Sequence, residues 1–186
     1  MVSPRLMSCI KCLIAALVIA IAAGVAFIYS GLYPVGADDR HTPLTYWALE
    51  TLRERSVDRA SDGIEVPADL DTSERLLAGG ADYNDMCAGC HLKPGKAESD
   101  FTLGLNPAPP NLTKQHQSED DLESQSRHRF WVIKHGIKAS GMPAWGAHHD
   151  DERIWDMVAF LRRLPELSPE QYQILTARGD DDANHH

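Results

Sequence analysis

The chain has 186 residues, room for one domain and a short appendage, with 43% hydrophobic residues and a formal charge of −9. Arg5 and Lys11 are the only charges in the first 33 residues, so the −9 of the whole leaves −11 on the remainder. An acidic surface of that kind argues against nucleic acid; it either draws in a basic protein partner at long range or serves solubility alone.

No charge falls between Lys11 and Asp38, and 13–29 is nearly all Leu, Ile, Val, Ala and Phe. With the flank to Tyr33 this reaches the ~20 residues that take a helix across a bilayer core. Arg5 and Lys11 precede the stretch while Asp38 and Asp39 follow it, so the positive-inside bias puts the rest of the chain outside the cytoplasm. The expectation is a single-pass anchor over 1–33, in a bacterial inner membrane, with the domain facing the periplasm. A cleaved signal peptide ending at Val35-Gly36-Ala37 is the rival. It fits less well, because that site lies far from the apolar core, and such cores run only ~7–15 residues.

Gly31, Pro34 and Gly36 end the apolar helix, and 34–70 reads as a second helix with a linker. Thr42-Pro43 has the form of an N-cap with proline at the first helical position. Leu44, Trp47, Ala48 and Leu52 follow at helical spacing, predicting an amphipathic helix over 43–59 that lies on a membrane surface or packs on the domain. A polar linker runs over 61–70.

The main domain is expected over 71–165. Asp71 with Glu74 resembles a capping box that opens a helix running towards Met86. The Pro- and Gly-rich stretch 92–114 reads as loop. Ser118 and three following acids open the next helix, through Phe130-Trp131-Val132-Ile133 to a stop at Gly136. A further helix over 151–164 sets Ile154, Trp155, Val158 and Leu161 on one apolar face before Pro165. The segment 166–186 forms a tail in which Ser168-Pro169 opens a short helix and 179–186 is expected to be disordered. No repeat and no alternating strand pattern occurs, so the fold class is all-α.

The chemistry centres on Cys87-Ala88-Gly89-Cys90-His91. Two thiols on one turn can form thioethers with the two vinyl groups of a haem, and the adjacent imidazole then lies under the iron. Outside the cytoplasm such thiols would otherwise oxidise to a disulfide. A zinc site lacks further ligands nearby, and a thioredoxin-like motif lacks its βαβ context. The expected cofactor is one covalent haem c. The other pair, Cys9 and Cys12, has no following histidine and sits on the cytoplasmic side. Two ordinary small residues near a helix start is the favoured reading there, with a redox role as the alternative. Leu6-Met7-Ser8-Cys9 only superficially resembles a lipoprotein box, since it precedes the apolar stretch.

An iron with one histidine needs a second axial partner to move electrons quickly and exclude small ligands. Met142, in Gly141-Met142-Pro143-Ala144-Trp145-Gly146, is the strongest candidate, because a thioether on a rigid loop favours ferrous iron. Met86 stands too close to the attachment turn, and Met157 reads as helix core. His116, His128, His135, His148 and His149 are nitrogen alternatives.

Together these motifs resemble class I cytochromes c, in particular the small single-haem domain of cbb3-oxidase cytochrome subunits. The likeness covers 71–164, with Lys134-His135-Gly136-Ile137 and the Met142 loop as its most specific parts. It implies the class I cytochrome c fold, in which Gly79 and Tyr83 of the first helix meet Met157 and Phe160 of the last. It also implies that the carbonyl of Pro110, in Pro110-Asn111-Leu112, accepts the N–H of His91, with Pro109 one register away. Such a bond fixes the imidazole tautomer and tunes the metal. The implied function is electron transfer between redox partner proteins, as a tethered carrier or as a cytochrome subunit of a respiratory oxidoreductase, with no catalytic residues. Two other readings remain. A labile Met142 would make a peroxidase or gas sensor, and His148-His149 with His185-His186 would make a metal store.

Overall fold

A computed structural model describes residues 4–114 and 121–177. The chain divides into two compact units, 1–39 and 40–186. Among the described residues all regular structure is helical. The all-α expectation therefore holds. His116, Ser118 and 179–186 lie outside the described residues.

The first unit is α1 (Pro4–Ser30), whose stretch Arg5–Ser30 is long and apolar enough to cross a membrane and has no buried residue. Gly31, at φ +64°, ends it in a left-handed conformation that glycine adopts without cost.

The second unit opens with α2 (Pro43–Ser61). Thr42 caps it by accepting the Thr45 N–H at 3.3 Å. The helix is as expected, and of the two placements left open for its apolar row, packing on the domain is not the one observed. Leu44, Trp47 and Leu52 are 72%, 64% and 67% exposed, whereas Val57 is 3% exposed and Ser61 is buried. The inward face of α2 carries Glu50, Arg53 and Val57, a mixed row that hydrophobic spacing does not reveal.

The helix α3 (Ser73–Asp82) starts at Thr72, without a side-chain cap. The expected Asp71–Glu74 capping box does not form, because Asp71 pairs with Arg162 at 3.3 Å. One π-type turn (Tyr83–Cys87) joins α3 to α4 (Ala88–His91). The stretch expected to be pure loop contains α5 (Asp100–Gly104), closed by a reciprocal Ser99–Thr102 cap. Five residues are too few for periodicity to register, so only that cap marks them.

The next helix, α6 (Leu122–His135), begins after Asp121 and stops at Gly136, φ +63°. Helix α7 (Asp151–Arg163) is capped by Asp150, which accepts the Arg153 N–H at 2.9 Å. Its predicted face is buried: Ile154, Trp155, Val158 and Leu161 all lie in the core. The last helix, α8 (Pro169–Leu175), opens on a Ser168–Gln171 capping box.

The core is built on the crossing of α3 with α7. A β-carbon on Gly79 would collide with the backbone of Asp156 and Met157, so the crossing depends on its absence. Tyr83 packs on Phe160 with ring centroids 5.4 Å apart, which brings together the four residues expected at the crossing. Arg153 then fastens the two helices through both oxygens of Asp82, at 2.6 and 2.8 Å. Such a bidentate fork is stronger and more directional than a single contact. Phe130 stacks on Trp155 at 4.2 Å and docks α6 on the same helix.

Candidate haem crevice

Between α6, α7, the π-type turn and the two long loops lies a crevice of about 540 Å³, walled on its remaining side by α2. That is within the usual range for a cofactor site. Cys87, Cys90, His91, Pro110 and Met142 all line it. Each residue expected from the sequence is thus at one cavity.

The attachment segment is held tightly. Cys87 ends the π-type turn and is buried, and burial pushes its thiol up to about 12, so it stays protonated. Cys90 and His91 follow on the single turn of α4. Immediately after them Leu92 adopts φ +68°, a conformation that costs a residue with a β-carbon ~1–3 kcal/mol. The buried Tyr83 hydroxyl donates to the Leu92 carbonyl at 2.6 Å and helps to hold that turn. A π-type turn is itself an irregularity that tends to occur at functional sites.

His91 Nδ1 is 2.9 Å from the carbonyl oxygen of Pro110, not of Pro109. A carbonyl only accepts, so Nδ1 carries the proton and Nε2 keeps its lone pair. Burial lowers the His91 pKa, partly opposed by this bond, and favours the neutral ring that a metal requires.

Met142 belongs to a loop with little room. The Ile137 N–H donates to its carbonyl at 3.1 Å, and its own N–H donates to Ser140 Oγ at 3.1 Å. Gly136 has a positive φ, and a β-carbon there would meet the backbone of Met142 and Pro143 at 2.7 Å. A β-carbon on Gly141 would meet the Leu105 side chain at 3.0 Å. The half-buried Met142 side chain faces the crevice.

Two other methionines border the cavity. Met86 Sδ is 3.2 Å from His149 Nε2, and Met157 is 1% exposed in the core. Among the described histidines other than His91, only His128 lines the crevice, with Nδ1 3.6 Å from Asp58. His135 and His148 are exposed, and His149 stacks on Trp145. Cys9 and Cys12 lie exposed on α1.

The sequence reading missed the charged wall. Tyr46, Glu50, Arg53 and Glu54 of α2 and Arg129 of α6 also line the crevice. Spacing of four, three and one residues along α2 was the available signal, but polar residues at those positions read as solvent-facing.

The residues suit an iron porphyrin attached at two points: thiols for two side groups, an imidazole nitrogen with its tautomer set, and a thioether on a braced loop. Comparison with known proteins agrees. The family described as Cytochrome C oxidase, cbb3-type, subunit III matches residues 74–161. Among curated proteins and solved structures none matches the chain. The segment that carries Cys87, Cys90, His91, Pro110 and Met142 is a cytochrome c domain of the cbb3 type.

Proposed function

We propose that the protein is a membrane-tethered electron carrier, or the cytochrome subunit of a respiratory oxidoreductase, holding one covalent haem c with His91 and Met142 as axial ligands. The observation that carries this reading is the His91–Pro110 bond, at 2.9 Å, in the cavity that also receives both thiols of the attachment motif and Met142. A single such attachment motif occurs in the sequence, so one haem is expected. When bound, haem supplies a one-electron ferric/ferrous couple whose potential a thioether ligand raises. The chain's own residues hold and insulate it. Cys87 and Cys90 fix the ring, the Pro110 carbonyl orients the imidazole, and the braced loop keeps Met142 in place while excluding small ligands.

The apolar helix α1 serves as the tether in this reading. The charge step from Arg5 and Lys11 to Asp38 and Asp39 sets the domain on the periplasmic side. With −11 beyond residue 33, a partner with a basic docking surface is favoured. Redox titration of salt-washed membranes tests the proposal. They should retain the cytochrome, which should titrate as one reversible one-electron component without turning over peroxide. Recovery as a soluble protein beginning near Asp38 would remove the tether, and rapid peroxide turnover would replace the carrier with an enzyme.

A further inference from the structure

The segment matched to the family begins at residue 74, yet the crevice has a wall that precedes it. Helix α2 packs along α6 and brings Glu50, Arg53 and Glu54 to the cavity. Arg53 is clamped there, with its guanidinium 2.6 Å from Glu50 and 2.7 Å from Glu54. Across the seam, ligand atoms of Glu54, Asp58 and His128 lie within 4.8 Å of one another, and Glu54 and His128 also line the cavity.

Arg129 lines the cavity from α6. One of its nitrogens donates to the Leu161 carbonyl at 3.3 Å. Among the described residues no carboxylate pairs with it. Another cation, Arg162, whose own partner is Asp71, acts on it, while Asp58, Asp121 and His128 line a smaller cavity with it. Burial and that like charge lower its pKa to about 10, marking a cation held where it is poorly compensated. A cation in such a place is costly unless a carboxylate completes it. Haem carries two propionate carboxylates, and guanidinium matches a carboxylate in a two-pronged geometry.

We propose that the α2–α6 seam receives the carboxylate edge of the haem: Arg129 is the counter-ion of a propionate, and Arg53 is a positioning residue that engages Glu50 and Glu54 and offsets part of their charge so that they repel it less. This rests on the haem reading above. It assigns α2, outside the family segment, to the cofactor site.

The test is the reduction potential of the full-length membrane protein. Removing a cation beside the haem favours the ferric state. For Arg129→Gln the ferric/ferrous ratio at the wild-type midpoint should therefore rise about tenfold, ~59 mV for one electron. Losing that cation also raises the propionate's own pKa. The carboxyl then ionises within the pH 5–8 window, and the potential falls as pH rises through it. The charged groups that share a cavity with Arg129 or act on it are His128 of α6, Glu50, Arg53, Glu54 and Asp58 of α2, Asp121 before α6, and Arg162 of α7. Because histidine is the side chain that ordinarily titrates in this window, the profiles are compared in a His128→Gln background.

Arg129→Lys should restore most of the potential. Arg53→Gln should shift it in the same direction by less, and Arg127→Gln, whose partner is the exposed Glu123, should leave it unchanged. A haem-loaded Arg129→Gln protein with wild-type potential and pH profile would overturn the proposal alone. If that variant does not accumulate, Arg53→Gln decides, a downward shift supporting the proposal and none overturning it. Wild-type protein without covalent haem would overturn this proposal together with the functional reading.

Discussion

Met142→Ala should keep covalent haem, titrate at a lower potential than the wild type, and bind carbon monoxide that the wild type excludes. In the proposed ligation the thioether would favour ferrous iron and fill the sixth position, so one substitution would remove both effects while leaving Cys87, Cys90 and His91 intact. The fall should be roughly 0.1 V or more, well within the ~0.8 V that axial ligands span. Met157→Ala is the contrast. It deletes a core side chain that is 1% exposed, so it should cost about 2–5 kcal/mol of stability while the axial ligation stays unchanged. An unchanged spectrum and potential in Met142→Ala would transfer the sixth position to a histidine. His128 would then be replaced first, because His135 and His148 are exposed and do not line the crevice.

Gly79→Ala should be strongly damaging although it lies away from the crevice. The added methyl group has no flexible side chain to displace; it meets the α7 backbone at Asp156 and Met157. Overpacking typically costs ~1–3 kcal/mol, and an obstruction by backbone belongs at or above the top of that range. A loss of ~3 kcal/mol lowers the melting temperature by about 10 °C for a domain of this size. Gly104→Ala is the control. A β-carbon there meets nothing within 4 Å, so thermal melting should show no loss of stability. Equal melting of the two variants would mean that α3 and α7 do not cross as closely as described.

Legibility from sequence followed the physics of each signal. The helix α7 could be read because a long, one-sided apolar row has a single way to bury itself, and α8 because Ser168-Pro169 is a start signal. The attachment turn and the Met142 loop could be read because their chemistry demands particular residue types at particular spacing. Pro110 could be named from resemblance alone, with Pro109 as the competing register; the choice between them needed the backbone path. Asp71 and Glu74 had the right spacing for a cap, yet a long-range partner, Arg162, engages Asp71 instead. At α2 the sequence left open whether the apolar row meets a membrane surface or the domain. That row, Leu44, Trp47 and Leu52, faces out, while a row containing Glu50, Arg53 and Glu54 faces the crevice. A cavity wall lined by charged side chains does not obey the apolar-inward rule, and sequence periodicity alone cannot distinguish it from a solvent-facing row.

The most direct test of the central claim is the mass of the denatured polypeptide after extraction with acidic organic solvent. Wild-type protein should retain one haem per chain, because thioether bonds survive unfolding and axial ligation does not. The Cys87→Ala/Cys90→Ala double variant should lose its haem completely under the same treatment. A wild-type chain that emerges at its bare polypeptide mass would contradict the account, as would a double variant that keeps its haem.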